Sequence, residues 1–276
     1  AYLLAAGKYL ALKVGLARSG FGLGLVANTG EEAPHGSVRQ SPFGFANRGD
    51  RVARVQVAGF PFAPRVAGDG ASARPLTLAF AADAIVDDDR ANWLDGDRAY
   101  QFWGGAFVHM GDVLAGAGAV RRSQDHEEGG TTDLTLIIAT ARVDLLYAPV
   151  SLWTEAEAIV AIGETTLSRS ATREGPYDVL ATGGAGRIGA LWQALEGVLE
   201  VGVASGDDNP FDQEIHDLTF DREYRVGLLM FGEAARVSSA VTSHNASDED
   251  LRARPPRGVD ALATGGAIRN AIYVNP

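Results

Sequence analysis

Tyr177-Asp-Val-Leu-Ala-Thr-Gly-Gly-Ala-Gly-Arg-Ile-Gly189 continues through Ala190-Leu-Trp-Gln-Ala-Leu195 to Leu199-Glu-Val-Gly-Val-Ala-Ser-Gly-Asp-Asp208, and this stretch decides the fold. One interpretation is a strand, a glycine turn, a helix and a second strand that ends in an acidic pair. The other interpretation is two long strands joined by a tight turn at Ala194 to Val198 and followed by an acidic loop. The two interpretations predict different compartments, so the rest of the chain has to decide between them.

The clearest evidence for long strands is a two-residue alternation in 134–146 and 152–163, on either side of Ala148-Pro149. A helical period would instead place Glu155 beside Ile159 on one face. These segments therefore predict two strands of a dozen or more residues, whereas soluble strands average about 5 or 6. The apolar rows are Ile137, Ala139, Ala141, Val143 and Leu145, and then Leu152, Thr154, Ala156, Ala158, Val160 and Ile162.

Other segments repeat this alternation. Residues 51–62 and 76–86 each predict a strand, and 100–109 with 113–121 predict a hairpin about Met110-Gly111-Asp112. In 9–17 the apolar row is Leu10, Leu12, Val14 and Leu16. After Arg18-Ser19-Gly20 the parity changes, which predicts a bulge in one long strand or a tight hairpin. The new row is Phe21, Leu23 and Leu25.

Long polar loops alternate with turns of a few residues, a pattern typical of outer-membrane barrels. Asp178–Ala185 also recurs almost unchanged as Asp260–Ala267, which indicates repeated strand entries rather than a cofactor loop. Aromatic residues near the predicted strand ends suggest a girdle at a membrane interface, although soluble β-proteins also place aromatics there. The predicted long loops are 28–50, 87–98, 123–131, 206–222 and 242–258. The aromatics are Trp93, Trp103, Tyr147, Trp153, Tyr177, Trp192, Tyr224 and Tyr273.

Composition limits the function classes. The chain has 276 residues, no Cys and a formal net charge of −11. The lack of Cys excludes disulfides and thiolate chemistry. The acidic charge argues against nucleic acid as a partner, because phosphate binding needs a basic surface. No apolar run reaches the roughly 18 to 20 residues of a membrane helix, but a barrel strand needs only about 9 to 11. We expect one domain over 1–276, incomplete at one or both ends.

The alternative interpretation is an NAD(P)-binding enzyme. Gly183, Gly186 and Gly189 resemble the glycine fingerprint of the short-chain dehydrogenase and epimerase families, and Asp207 could hold a ribose. However, those families place the fingerprint near the start of the domain and use a Tyr-x-x-x-Lys pair. The only lysines here are Lys8 and Lys13. The fingerprint is therefore interpreted as a coincidence in a glycine-rich strand, and we expect neither a catalytic residue nor a cofactor.

Metal binding has weak support in the sequence. Asp207, Asp208 and Asp212 supply oxygen ligands of the kind that Ca²⁺ prefers, but their spacing matches no EF-hand. The histidines are scattered and have no metal-ligand spacing. These aspartates are thus only weak candidates for a loop cation, and no resident metal is predicted.

The charged residues between the apolar rows carry the functional prediction. A charged side chain that faces lipid costs a few kcal/mol of folding free energy near the middle of a bilayer. In a barrel these side chains must therefore face the interior. The alternative is that they form the solvent face of a soluble sheet. On the barrel interpretation the pore-lining residues are Arg54, Asp83, Arg142, Asp144, Glu155, Glu157, Arg187, Glu200 and Arg225.

Several segments resemble the outer-membrane barrels of the alginate-export and porin-like class of Gram-negative bacteria. The strongest resemblance is Ala204–Phe211 together with Phe220-Asp221 and Tyr224–Leu228. The resemblance implies a β-barrel and solute passage, without identifying the solute. Barrels of that class continue past the point where this chain stops. Further matching segments are Ser19–Asn28, Val143–Pro149, Thr154–Glu157, Pro255–Val259 and Asn270–Pro276.

The sequence thus predicts an all-β fold, an antiparallel transmembrane β-barrel with roughly ten to twelve strands visible. We expect an outer-membrane channel or exporter whose partners are the lipid bilayer and a small polar solute or polysaccharide. Besides the NAD(P)-binding enzyme, the remaining alternative is a soluble β-rich structural or adhesin-like protein.

Overall fold

The structure is a computed structural model, and it describes residues 1–29, 49–62, 75–127, 129–147, 149–167, 175–193, 195–208, 212–224, 226 and 267–276. All elements in these residues are β-strands, apart from turns and irregular segments. They contain no helix that is long and apolar enough to cross a membrane. The strands are β1 Tyr2–Ala6, β2 Leu10–Arg18, β3 Arg51–Gly59, β4 Leu76–Asp87, β5 Arg98–Met110, β6 Val113–Asp125, β7 Thr131–Tyr147, β8 Val150–Thr165, β9 Tyr177–Trp192, β10 Leu195–Ala204, β11 Glu214–Ile215 and β12 Ala271–Asn275.

The strands form one antiparallel sheet in which each strand from β1 to β10 pairs with the next, and β12 follows β10. The short β11 pairs in parallel with the start of β9, beyond the end of β10. Among the described residues no pairing joins β1 to β12, so the sheet is not closed there. The predicted all-β, antiparallel fold is confirmed at this level.

The two-residue alternation generates two faces of opposite character. On β8 the odd-numbered Trp153, Glu155 and Ile159 are buried, whereas the even-numbered Thr154 and Ala158 are exposed. We call the face with the buried side chains the inner face and the opposite face the outer face. Cross-strand pairing carries the same two faces into the neighbouring strands, so the inner residues are even-numbered on β7 and odd-numbered on β9. The alternation predicted for 51–62, 76–86, 134–146 and 152–163 is confirmed.

The connections are short at one end of the sheet and longer at the other. At the short-turn end, 7–9, 111–112, 148–149 and 193–194 link neighbouring strands, with 60–75 the exception. At the other end, which we call the long-loop end, the described parts of the connections are 19–29, 49–50, 88–97, 126–127, 129–130, 166–167, 175–176, 205–208, 212–213, 216–224, 226 and 267–270. The predicted hairpin about Gly111 is confirmed, and the positive φ of 58° at this glycine suits a two-residue turn. The predicted turn at Ala194 to Val198 is too long, because β10 begins at Leu195.

The parity change after Arg18 is neither a bulge nor a hairpin. Strand β2 ends at Arg18, and the chain then runs irregularly along the inner face. Leu25 is fully buried there, and the amide of Leu23 donates to Glu157 Oε2 on β8. Phe21 packs against Phe107 of β5 at 5.6 Å between ring centroids. The irregular segment 19–29 therefore contacts both β5 and β8, which are three strands apart in the sheet. The sheet must curl around this segment to allow both contacts.

A second segment fills the same space. Residues 217–224 follow β11, and Leu218, Phe220 and Tyr224 are buried with Leu25 in one apolar cluster. We call 19–29 and 217–224 the inner segments. They are joined by two hydrogen bonds of Asp221, whose amide donates to Leu25 O at 2.6 Å and whose Oδ2 accepts from the Asn28 amide at 3.0 Å. The inner segments thus fill part of the space that the sheet curls around.

Candidate functional site

Four charged residues form a row across the inner face of β7, β8, β9 and β10. In the sheet register Arg142 lies opposite Glu155, Glu155 opposite Arg187, and Arg187 opposite Glu200. Directly opposed side chains are about 5 Å apart, which places each of the two middle residues, Glu155 and Arg187, between two charges of opposite sign. The guanidinium nitrogens lie 3.4 to 3.8 Å from the carboxylate oxygens. We call these four residues the inner ionic row.

The inner ionic row continues into neighbouring groups. Arg142 also binds Asp144 of its own strand through two contacts of 3.0 and 3.1 Å. Glu200 Oε1 accepts hydrogen bonds from the hydroxyls of Tyr224 and Tyr273, the latter at 2.9 Å. The Arg187 guanidinium lies 5.3 Å from the ring centroid of Tyr224. The second inner segment is therefore attached to the row through an aromatic residue that carries a polar group.

A second ionic group lies on β3, β4 and β5. Arg54 binds Asp83 in a bidentate pair, with Nε–Oδ1 and Nη2–Oδ2 both at 2.7 Å. The Asp83 side chain also accepts from Gln101 Nε2 at 2.9 Å, and Arg54 Nη2 donates to Ser19 Oγ at 3.0 Å. Arg54 and Asp83 are buried, and a buried ion pair needs such additional hydrogen bonds to offset its desolvation. The first inner segment is anchored here, at Ser19.

The predicted pore-lining residues therefore share one face. Arg54, Asp83, Arg142, Asp144, Glu155, Glu157, Arg187 and Glu200 all lie on the inner face, and Arg225 lies outside the described residues. That these side chains line a passage stays a prediction. Sequence reasoning missed Gln101, Tyr224 and Tyr273 as inner-face residues. For Tyr273 the signal was present, because Ile272 and Val274 on either side of it are exposed.

The long-loop end carries a cluster of carboxyl groups with perturbed acidity. Burial and the nearby Asp89 raise the pKa of Asp221 to about 8. Burial, together with Asp221, also raises the pKa of Asp50 far above its ordinary range. Burial opposes ionisation of Asp88 as well, but Arg122 and two backbone amides outweigh it and lower the pKa of that residue. Near neutral pH the cluster thus holds protonated and ionised carboxyl groups side by side.

The dinucleotide interpretation lacks its geometry. Gly183, Gly186 and Gly189 all lie inside β9, and Ala190 to Trp192 continue that strand instead of starting a helix. A dinucleotide fingerprint needs a tight turn and a helix N-terminus directed at the pyrophosphate. The glycines have another role here. A Cβ at Gly189 would collide with the Trp153 ring, and one at Gly183 with Leu218, so these two glycines leave room for buried neighbours.

The weak metal candidates do not form a site in the described residues. Asp207 Oδ2 accepts from the His216 amide at 3.4 Å, and Asp212 Oδ1 accepts from the Glu214 amide at 3.0 Å. Asp208 is exposed, and 209–211, between it and Asp212, lie outside the described residues. Throughout the described part of the chain, no three His, Cys, Asp or Glu side chains converge as metal ligands. The sequence echo at Asp260–Ala267 falls almost wholly outside the described residues.

The predicted aromatic girdle is only partly consistent with the structure. Trp93 and Trp192 are exposed, whereas Trp153, Tyr177, Tyr224 and Tyr273 are buried. Most of these rings therefore contribute to the interior, because they lie on inner-face positions or on an inner segment.

No family model, curated protein or solved structure matches this chain. The resemblance to the alginate-export and porin-like barrels therefore stays a prediction. What the chain can do has to be inferred from its two faces.

Proposed function

We propose that this chain is a β-barrel protein of a Gram-negative outer membrane and that its charged interior lets a polar solute pass. The observation that supports this most strongly is the reversed polarity of the sheet. Ionic side chains are buried on the inner face, while large apolar side chains are exposed on the outer face. A water-soluble sheet has the opposite arrangement, because exposed apolar patches of this extent are rare on soluble monomers.

The outer face supports contact with lipid. Its exposed apolar side chains extend across the strands from β2 to β12, and Phe80 is 64% exposed. From Leu152 to Ile162 strand β8 rises about 33 Å at roughly 3.3 Å per residue, which a tilt of roughly 40° reduces to about 25 Å. That height matches the apolar band of outer-membrane barrels. We call these side chains the outer apolar band: Leu10, Leu12, Val14, Leu16, Val55, Val57, Leu78, Phe80, Phe102, Ile137, Ile162, Leu180, Ile188, Leu199, Val201, Val203, Ile272 and Val274.

The inner face supports solute passage. The inner ionic row and the Arg54–Asp83 pair provide both signs of charge, which would set selectivity for a diffusing polar solute. The inner segments narrow the interior, so the proposed passage is small. A solute would move through the space that these segments leave beside the charged side chains.

Reconstitution tests the two parts of the proposal separately. The purified chain, folded in detergent, is mixed with lipid vesicles and separated by flotation, and it is also added to a planar bilayer. We expect the protein to float with the vesicles and to produce small, stepwise conductance. A stable, detergent-free soluble monomer would contradict membrane insertion. Flotation without any conductance would be consistent with a membrane-inserted barrel but would contradict the proposed solute passage.

A further inference from the structure

A cavity of about 340 Å³ lies on the inner face at the long-loop end. Strands β6 to β9 form its floor, and residues near 89–90, 217–222 and 267–269 lie around it. Pockets that bind small molecules measure roughly 300 to 1,000 Å³. The cavity is therefore large enough for a compact organic ligand.

One wall of the cavity is cationic. Four arginines line it, and three of them have a carboxylate partner. Arg122 is 2.6 Å from Asp88, and Arg222 and Arg269 are each 2.5 Å from an aspartate. The two aspartates are Asp89 and Asp217. These three pairs cancel, so the charge of the fourth arginine, Arg90, determines the sign of this wall.

The side chain of Arg90 is exposed, and its guanidinium has no hydrogen bond or ion pair with any residue that the structure describes. Two hydrogen bonds fix the backbone of Arg90. Its amide donates to Asp88 Oδ1 at 2.8 Å, and its carbonyl accepts from Gln124 Nε2 at 2.6 Å. Surrounding protein lowers the pKa of Arg90, but an arginine remains charged in proteins. Arg90 is thus a cation that forms no ion pair with the described residues, although the nearby Asp89 and Asp217 favour its charged form.

The polar groups beside Arg90 are already satisfied. Gln124 is 2% exposed, and its Oε1 accepts from Arg122 Nη2 at 2.6 Å. Its amide nitrogen contacts His126 Nδ1 at 3.1 Å, and His126 Nε2 contacts Thr132 Oγ1 at 2.8 Å. Burial lowers the pKa of His126, which keeps this imidazole neutral and its hydrogen bonds fixed. A ligand would therefore meet one cation in an ordered polar wall.

The floor of the cavity on β7, β8 and β9 is largely apolar. Leu134 and Leu136 of β7, Ala161 of β8, and Val179 and Ala181 of β9 project into the cavity from the inner face. Leu218 of the second inner segment adds to this apolar surface. A cavity with one cation and one apolar surface suits a ligand that has a single charged group on a hydrocarbon or aromatic body, because both parts are then removed from water.

We propose that this cavity binds a small organic monoanion with an apolar body, such as an aromatic carboxylate, and that Arg90 is its counter-ion. The carboxylate would accept hydrogen bonds from the Arg90 guanidinium, and the ring would lie against Leu134, Val179 and Ala181. Binding at this site does not require the chain to conduct solute. The inference therefore goes beyond the proposed function and can fail or succeed independently of it.

Equilibrium dialysis of the detergent-folded protein against radiolabelled benzoate tests the proposal. Two matched probes separate the contributions, since benzyl alcohol has the ring without the charge and acetate has the charge without the ring. We expect saturable binding of one benzoate per chain, with both other probes at least tenfold weaker. Equal binding of benzyl alcohol and benzoate would overturn the role of the cation, and an absence of saturable benzoate binding would overturn the site.

Variants locate the site. Arg90→Gln should weaken benzoate binding at least tenfold and leave the fold intact, because no described contact of the guanidinium is lost. Arg121→Gln makes the same charge change on the outer face and should retain wild-type binding. Val179→Thr keeps the side-chain volume and should weaken benzoate binding about threefold without affecting acetate. Unchanged benzoate binding by Arg90→Gln would overturn the proposal, and the three-probe comparison on the wild-type protein is decisive even if that variant does not fold.

Discussion

Glu155 of β8 lies directly opposite Arg187 of β9, with 3.7 Å between Glu155 Oε1 and Arg187 Nη1. On the other side Glu155 faces Arg142 at 3.8 Å. One buried carboxylate therefore lies between two guanidinium groups. The sheet register creates this arrangement, because residues that are directly paired on neighbouring antiparallel strands place their side chains on the same face of the sheet.

Replacing Glu155 by Ala should destabilise the fold by about 2 to 3 kcal/mol. Removing one partner of a buried ion pair typically costs about 3 to 5 kcal/mol, but here each arginine keeps a second carboxylate, Asp144 or Glu200. Urea unfolding of the vesicle-bound protein, followed by circular dichroism, measures the change. Glu164→Ala is the matched control, since Glu164 is exposed on the same strand. Equal losses for the two variants would contradict a structural role for the inner ionic row.

Replacing Ala158 by Arg should disrupt folding in lipid much more than the same charge at the strand end. Ala158 is exposed midway between Leu152 and Ile162 on the outer face of β8. Arginine near the middle of a bilayer costs about 2 to 4 kcal/mol, and about 0 to 1 near the interfaces. The folding free energy in vesicles is compared with that of Glu164→Arg. Similar small effects at both positions would indicate that the outer face meets water.

Replacing Asp221 by Ala should increase single-channel conductance. Asp221 Oδ2 accepts from the Asn28 amide, and the variant loses this link between the two inner segments. The backbone bond from the Asp221 amide to Leu25 O remains, so the segments would be held less firmly and would block the interior less. Planar-bilayer recordings measure the unit conductance, with Asp208→Ala as the matched control because Asp208 is an exposed loop residue. A conductance that is unchanged, or that falls, would show that the inner segments do not restrict the passage.

Stability should fall as the pH rises from about 4 to about 8. The pKa of Asp221 is raised to about 8 in the folded chain, mainly by burial, whereas an unfolded Asp titrates near 3.9. Between these values the folded state retains a proton that the unfolded state releases, so the stabilisation is present below about pH 4 and is lost by about pH 8.

Urea midpoints measured across this pH range test the expectation. Asp221→Asn should flatten the profile, because the amide does not titrate. Asp208→Asn should leave it unchanged. A profile that rises with pH in the wild-type protein would be inconsistent with the buried, protonated carboxyl group.

The long strands and their two faces could be predicted because each residue contributes a local signal. Ile137 and Arg142 differ in parity, and parity alone assigns them to opposite faces. The inner ionic row also follows from the two-residue alternation once the register of the strands is known. However, the sequence does not show that Glu155 and Arg187 are directly paired across β8 and β9. Register depends on the lengths of the turns and strands, and the turn at Gln193 proved shorter than predicted.

The inner segments could not be predicted by the same reasoning. Phe21, Leu23 and Leu25 alternate like a strand, yet they form an irregular segment whose apolar side chains pack inside. Short apolar alternation does not reveal whether a segment pairs with a neighbour or folds back over the sheet. Arg90 was missed for a related reason, since its lack of an ion pair with the described residues depends on which carboxylates the other three arginines bind.

The contact between Trp153 and Gly189 makes strand alignment visible to spectroscopy. These residues face each other across β8 and β9, and only a residue without a Cβ leaves room for the indole. A slip of one residue would bring Ile188 or Ala190 opposite Trp153 and would turn the whole of β9 over. The emission of this one tryptophan, isolated by replacing Trp93, Trp103 and Trp192 with Phe, would therefore distinguish a correctly aligned hairpin from a misaligned one during folding.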